Sequence, residues 1–183
     1  GIVLRYGPED ASIRTDGSND AFNVNERNVI SGNPWGGILV QTPNWDNALP
    51  PAGGTTDRTI IAGNYIGTNA SGTAALPNAS GITLQLAVTN TRIGTDGNGI
   101  GDVDERNVIS GNAGIGVLLD GVGTAHNIVA GNHIGTNANG DARIANTSSG
   151  VPLPNGPPGK RSRTNGERAN ASGGHTGLSG KPR

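Results

Sequence analysis

The octapeptide ERNVISGN occurs twice in this chain, at residues 26–33 and again at 105–112. A second motif repeats at nearly the same distance, because GIVL at 1–4 returns as GITL at 81–84. The copies are 79 and 80 positions apart. Self-similarity at a fixed period indicates a repeat architecture, in which each repeat buries its apolar face against the next one. The chain must therefore fold as a stack of similar units.

Three short patterns recur in the same order in four successive segments of the chain. The first is Gly-aliphatic-x-aliphatic, the second centres on one aliphatic residue, and the third is Asn-x-Ile-x-x-Asn. Each pattern is too short for a helix and alternates apolar with small or polar residues, which is typical of a strand with one buried face. We therefore predict an all-β fold, a parallel β-helix (solenoid) of about four coils with three short strands per coil.

The apolar positions of these patterns align into four columns that we predict to face inward. Every member of each column is Ile, Val or Leu, as expected for a thin core between stacked coils. The columns are Ile2/Ile38/Ile82/Val117/Val151, Leu4/Val40/Leu84/Leu119/Leu153, Ile13/Ile61/Ile93/Val129 and Ile30/Ile66/Ile109/Ile134.

The octapeptide recurs because two kinds of coil alternate. One kind ends in ERNVISGN and the other in NYIGTN or NHIGTN, so the repeating unit contains two coils and 79–80 residues. Asn tolerates left-handed backbone angles, and stacked Asn amides can form hydrogen bonds along a column. We therefore predict structural turns, joined as an asparagine ladder, at Asn33, Asn64, Asn112 and Asn132.

Charge divides the chain near residue 152. Residues 1–152 hold seven Arg, no Lys and thirteen acidic residues, whereas residues 153–183 hold six basic residues and one acid. We predict a β-helix repeat region over 1–153 and a disordered, basic, Pro/Gly/Ser-rich tail over 154–183. Because the sequence opens in mid-pattern without Met, we expect it to be a segment of a longer protein, with flanking β-helix coils of the same polypeptide as neighbours.

The combination of GIxL, IIAGN and RNVISGN or NxIGTN resembles the right-handed parallel β-helix repeats of large secreted or surface-attached bacterial proteins. The resemblance covers residues 1 to about 153. It implies a right-handed β-helix and an extracellular or cell-surface location, but no activity, because this fold carries adhesins, tailspikes, lyases and hydrolases alike. We expect a structural or adhesin-like segment. The alternative, part of a polysaccharide-active (pectate-lyase-like) enzyme or a carbohydrate-binding surface, stays open.

Two corresponding loops concentrate oxygen-bearing side chains of the kind that Ca²⁺ prefers. They supply Asp96, Asn98, Asp102, Asp104 and Glu105 in one loop, and Asp16, Asp20 and Glu26 in the other. The spacing is not that of an EF-hand, since Ile100 stands at a ligand position. Two interpretations remain: a calcium site, or solvated turns whose Asp side chains cap backbone amides. The sequence requires no cofactor, and the absence of Cys excludes thiolate metal sites.

Nothing in the repeat region predicts catalytic residues. There is no Lys before residue 160, the acids lie in turns rather than as a facing pair, and His133 takes the place of Tyr65 in the repeat. Trp35 and Trp45 suggest a sugar-stacking platform, and the alternative is that they pack the long loop against the core. We expect a polysaccharide or cell-surface ligand as partner, no nucleic acid and no membrane span.

Overall fold

The computed structural model describes residues 1–5, 9–15, 26–42, 56–148 and 161–162. These residues are all-β: short strands alternate with turns, with almost no helix. The strands are β1 (Ile2–Leu4), β2 (Ser12–Arg14), β3 (Val29–Ile30), β4 (Ile38–Gln41), β5 (Thr56–Asp57), β6 (Ile60–Ala62), β7 (Tyr65–Ile66), β8 (Ile82–Gln85), β9 (Val88–Thr89), β10 (Arg92–Gly94), β11 (Val108–Ile109), β12 (Val117–Asp120), β13 (Ile128–Ala130), β14 (His133–Ile134) and β15 (Arg161–Ser162).

Three parallel sheets organise these strands. The first has the order β1-β4-β8-β12, the second β2-β6-β10-β13-β15, and the third β3-β7-β11-β14. The chain visits the three sheets in the same order each time, and we call one such passage a cycle. Cycle 1 spans residues 1–33, cycle 2 residues 37–78, cycle 3 residues 81–112 and cycle 4 residues 116–146.

The pairing register confirms the predicted columns within the described residues. Ile2 pairs with Ile38, which pairs with Ile82, and Ile109 lies between Ile66 and Ile134. The column residues of cycles 2 and 3 are fully buried and form one apolar cluster. Val117, Leu119 and Val129 of cycle 4 and Ile13 and Ile30 of cycle 1 belong to the same cluster, and Ile2, Leu4 and Ile134 are partly buried and pack against it. Val151 and Leu153 fall outside the described residues.

A fourth, very short sheet goes beyond the three strands predicted per cycle. Strands β5 and β9 pair in parallel, and isolated bridges extend this pairing to Glu9 in cycle 1 and Ala125 in cycle 4. In every cycle the residue that follows this pairing in the chain has a positive φ, between 51° and 58°, although it is not Gly. The sequence pattern missed this corner because its residues share no side-chain type: Asp10, Arg58, Asn90 and His126.

Strand β15 lies in the segment that was predicted to be disordered. It pairs in parallel with β13, Arg161 opposite Ile128 and Ser162 opposite Val129, so the second sheet has a strand from beyond cycle 4. The remainder of residues 154–183 lies outside the described part of the chain.

Candidate functional site

One ladder of Asn side chains crosses the four cycles at the corner between the second and third sheets. Amide hydrogen bonds of 2.8, 3.0 and 2.9 Å join Asn28 to Asn64, Asn64 to Asn107, and Asn107 to Asn132. The backbone N–H of Asn64 also donates to the Oδ1 of Asn107, and Asn107 Nδ2 donates to the carbonyl of Ile61 at 2.8 Å. Asn64 and Asn132 therefore hold the structural positions predicted for them.

A second ladder runs between the third sheet and the next cycle's first sheet. Its members Asn33, Asn78, Asn112 and Asn146 are joined by amide hydrogen bonds of 2.8, 3.0 and 2.9 Å. Asn33 and Asn112 were predicted, whereas Asn78 and Asn146 were missed. The available signal was their position three or four residues before a Gly-aliphatic-x-aliphatic strand, which Asn33 and Asn112 share.

Two hairpins explain why the sequence motifs did not identify Asn78 and Asn146 as members of this ladder. Antiparallel bridges close residues 68–75 and 136–143, which are inserted directly after the third-sheet strands. Asn69 and Asn137, the last residues of the NxIGTN motifs, do not join the ladder. The Oδ1 of Asn69 instead accepts the backbone N–H of Thr73 at 2.9 Å, and Asn137 does the same for Asp141 at 3.1 Å.

The left-handed backbone at these corners belongs to Gly and not to Asn. Gly63, Gly111 and Gly131 have φ of 73°, 70° and 64°, and each directly precedes a ladder Asn. A Cβ on Gly63 would lie 2.7 Å from the carbonyl oxygen of Asp104, so a side chain there would clash with the next cycle. The ladder Asn residues themselves do not have a positive φ, although their tolerance of left-handed angles was one reason for predicting turns there.

The hairpins cover paired cation–ring contacts on the outer face of the third sheet. The guanidinium of Arg27 lies 4.3 Å from the centroid of the Tyr65 ring. In the next two-cycle unit, Arg106 Nη1 lies within hydrogen-bond distance, 3.0 Å, of His133 Nε2. A hydrogen bond of 3.0 Å from the N–H of Ala138 to the carbonyl of Gly72 stacks one hairpin on the other. This surface is thus closed by the chain's own loops.

Burial, and then the charge of Arg106, hold the pKa of His133 below its usual range. Because the folded state disfavours the imidazolium, the stability associated with neutral His133 is fully present above about pH 6.5. This stability is lost as the pH falls below about 6.5 and through the lower pKa that His133 has in the folded protein. We expect the urea midpoint to decrease between about pH 7.5 and about pH 5, and His133→Tyr, which restores the residue of the other unit, to remove that contribution. An equal decrease in both proteins would contradict this role.

The acidic loop of cycle 3 brings three of its predicted residues together. Ligand atoms of Asp96, Asp102 and Glu105 all lie within 4.8 Å of one another, the only such group in the described ranges. Asn98 instead accepts the N–H of Ile100 through Oδ1 at 2.7 Å, and Asp104 is not part of the group. In the counterpart loop, Asp16 and Asp20 lie outside the described residues, and Glu26 is exposed and belongs to no such group.

Hydrogen bonds already reach every carboxylate oxygen of this acidic group. Both oxygens of Asp96 accept from Asn98, at 3.0 and 3.1 Å. Asp102 accepts the hydroxyl of Thr95 and the N–H of Gly99, and these bonds, that of Thr95 first, lower the pKa of its carboxyl. Asp96 and Asp102 thus cap backbone amides of their own loop, and the calcium site stays a prediction.

An ion pair neutralises the most buried member of the group. Glu105 is only 5% exposed and faces Arg92, whose Nη1 lies 3.0 Å from its Oε2. The same Oε2 accepts the N–H of Asp96 at 2.9 Å. A buried carboxylate needs such partners, since desolvation otherwise costs several kcal/mol. Arg92 thus already neutralises the charge of Glu105.

We expect Ca²⁺ to leave the melting temperature of this protein unchanged. Arg92 already neutralises Glu105, so the group offers an added cation less attraction than three free carboxylates would. The measurement is a thermal unfolding curve with excess Ca²⁺ and with chelator, using Asp102→Asn as the matched variant. A melting temperature that rises with Ca²⁺ in the wild type but not in Asp102→Asn would establish the calcium interpretation instead.

Trp35 is 94% exposed and directly precedes the turn into strand β4. It therefore does not pack a loop against the core. Trp45, its predicted partner, lies outside the described residues, so the structure does not test whether the two form one platform.

No family model, curated protein or solved structure matches this chain. Membership of a β-helix family therefore stays a resemblance carried by the repeated motifs. The part of the chain that the structure describes contains no helix long and apolar enough to cross a membrane.

Proposed function

We propose that residues 1–153 form a segment of a right-handed parallel β-helix in a secreted or cell-surface bacterial protein. The segment acts as a structural or adhesive scaffold. Three parallel sheets visited in constant order support the β-helix, and connections between parallel strands are right-handed in nearly all proteins. The bacterial and extracellular setting rests on the resemblance of the repeated motifs.

The scaffold function is supported by the structural roles of the repeated residues. The recurring aliphatic residues fill the core, and the recurring Asn residues bond to one another across cycles. Chemistry occurs at one place in a protein, so catalytic residues should break a repeat rather than follow it. The acidic group that does break it is held by its own hydrogen bonds and by Arg92.

Further cycles of the same polypeptide are the first partners that this proposal implies. Strands β1, β2 and β3 each lie at the end of their sheet order, and such edges pair readily with another strand. A polysaccharide or other cell-surface ligand is the second partner class. Nucleic acid is not, because acidic residues outnumber basic ones over 1–152.

We propose further that the segment is not an enzyme and requires no cofactor. The test is incubation of the purified chain with pectin, alginate and a glycosaminoglycan, with and without Ca²⁺, followed by assay of released chain ends. No release is expected. Turnover that disappears in Asp102→Asn would replace the scaffold by a polysaccharide-active enzyme.

Carbohydrate contact is a second candidate function, favoured by the nearly complete exposure of the Trp35 ring. An aromatic face of this kind can stack on a sugar ring. In a Trp45→Phe background, in which Trp35 is the sole Trp, oligosaccharide binding would shift the fluorescence emission. No shift at millimolar sugar would remove this candidate and leave the scaffold in place.

The proposed location has a separate test. An antibody raised against the purified chain should label intact cells of a bacterium that carries this sequence, as expected for a surface protein. Labelling only after the cells are made permeable would contradict the extracellular setting, although the fold and the absence of activity would still stand.

A further inference from the structure

His133 lies against both a guanidinium and the second hairpin, residues 136–143. Arg106 Nη1 is 3.0 Å from Nε2 of the ring. The backbone of Gly140 in the hairpin is so close that a Cβ there would lie 2.9 Å from both Cε1 and Nε2 of His133. The hairpin therefore packs directly on the imidazole, beside the contact with Arg106.

The contact with Arg106 selects one neutral form of the imidazole. A guanidinium can only donate hydrogen bonds, so Nε2 of His133 accepts and the ring proton lies on Nδ1. Nδ1 is buried and forms no hydrogen bond with any residue that the structure describes. Because a buried donor without a partner costs free energy, the closed hairpin covers a ring that is incompletely satisfied.

A second proton on the ring would break the contact with Arg106. Nε2 would then carry a hydrogen and could no longer accept, and two positive groups would lie 3.0 Å apart. The hairpin itself carries two charged residues, Asp141 and Arg143. Oδ1 of Asp141 already accepts from Nδ2 of Asn137 at 2.7 Å, so this carboxylate is held within the hairpin. Closing the hairpin over a charged ring is therefore unfavourable.

The second hairpin can open without the rest of the fold because little holds it. None of residues 137–143 is buried. A hydrogen bond of 3.0 Å, from the N–H of Ala138 to the carbonyl of Gly72, joins it to the neighbouring hairpin. Segments with few buried apolar groups and exposed backbone hydrogen bonds open locally at a low free energy.

The first hairpin, residues 68–75, packs in the same way on a ring that does not titrate in acid. A Cβ on Gly72 would lie 2.8 Å from Cε2 of Tyr65. The Arg27 guanidinium lies 4.3 Å from the centroid of that ring, at the distance of a cation–π contact. A phenol ring gains no charge in acid, so acidification does not alter this contact. The two hairpins therefore differ in the ring beneath them.

We propose that residues 136–143 form a pH-sensitive switch, closed over neutral His133 and opened by protonation of the ring. The cycles beneath stay stacked and the first hairpin stays closed. Opening separates Ala138 from Gly72, so acidification changes one outer surface of the molecule without unfolding it. The switch is a local opening, distinct from a loss of global stability. It rests on the stacked fold, but not on a scaffold function or an extracellular location.

The direction of the switch follows from the two pKa values of one ring. In the closed hairpin, burial and then the charge of Arg106 hold the pKa of His133 below its usual range. In the open hairpin, the ring is solvated and titrates near pH ~6.5. The open population therefore rises as the pH falls below about 6.5, and it stops rising once the pH is below the pKa of the closed state.

Hydrogen exchange of the full chain at about pH 7.5 and about pH 5, followed by mass spectrometry, tests the switch. After correction for the intrinsic pH dependence of amide exchange, the protection of peptides from 136–145 should fall by about fivefold or more in acid. The protection of peptides from 68–77 and from cycle 3 should change by less than about twofold.

Two variants identify the group that titrates. His133→Tyr supplies the ring that the first hairpin covers and should abolish the fall in protection. His126→Asn is the matched control, because His126 is exposed and Asn90 already has a positive φ at the same corner of cycle 3. The control should keep the full effect of acid.

Unchanged protection of 136–145 in the wild type would overturn the switch. An equal fall in both hairpins, or a fall that persists in His133→Tyr, would also overturn it, because acid would then act elsewhere. If cycle 3 loses its protection in His133→Tyr, His133→Gln, which is uncharged at both pH values, replaces that variant and should likewise abolish the fall. Enzymatic turnover or an intracellular location would instead contradict the proposed function and leave the switch standing.

Discussion

Replacing Ile109 with Asp is expected to abolish cooperative folding of the chain. Ile109 is fully buried and lies between Ile66 and Ile134 in the third sheet, so the carboxylate would contact only aliphatic side chains. An unpaired buried carboxylate costs several kcal/mol, which is comparable with the roughly 5–15 kcal/mol that stabilises a whole domain. Circular dichroism during heating should show no cooperative transition.

Ile128→Asp is the matched control for this substitution. Ile128 also lies in a strand, but its side chain is 45% exposed and points away from the core. The control should unfold cooperatively and close to the wild-type temperature. A cooperative transition in Ile109→Asp at the temperature of the control would mean that the third-sheet column is not the core.

Asn107→Leu should produce the second largest loss of stability. The side-chain Oδ1 accepts the backbone N–H of Asn64 at 3.0 Å, and Nδ2 donates to the carbonyl of Ile61 at 2.8 Å. Leucine would leave both backbone groups buried without their partner. Since each unsatisfied buried group costs about 1–3 kcal/mol, the free energy of unfolding should fall by about 2–6 kcal/mol.

Urea unfolding of Asn107→Leu and of Asn139→Leu measures this effect against a matched change. Asn139 is an exposed residue at the tip of a hairpin, where leucine should change the stability by no more than about 0.5 kcal/mol. If the free energies of unfolding of the two variants differ by less than about 0.5 kcal/mol, the ladder hydrogen bonds do not stabilise the fold.

The aliphatic columns could be predicted from sequence because burial imposes one chemical type at every level of the stack. Hydrogen-bonding partners were harder to predict, since they depend on register. Asn78 and Asn146 join a ladder only because the hairpins at 68–75 and 136–143 leave the stack and return to it. A motif that ends at Asn69 gives no indication that its last residue belongs to the hairpin.

The same residue also has different environments in the two copies of the octapeptide. Glu105 is buried against Arg92, whereas Glu26, the same residue of the other copy, is exposed. The strand position of Arg92 is held by Ser12 in cycle 1, which cannot supply a positive charge. The acidic group could be located from the sequence, but its neutralisation by a residue thirteen positions earlier required the register of the second sheet.

Cysteine pairs introduced on the outer face of the first sheet test most directly whether the cycles stack in this register. The native chain has no Cys, and Thr83 pairs with Leu39 on one side and with Leu118 on the other. Neighbouring strands lie about 4.8 Å apart, within the reach of a disulfide, whereas strands two cycles apart lie roughly 9.6 Å apart and beyond it. Thr83→Cys combined with Leu39→Cys, or with Leu118→Cys, should oxidise to an intramolecular disulfide, and Leu39→Cys with Leu118→Cys should not. Cross-linking of the last pair, or of neither neighbouring pair, would contradict the stacked register.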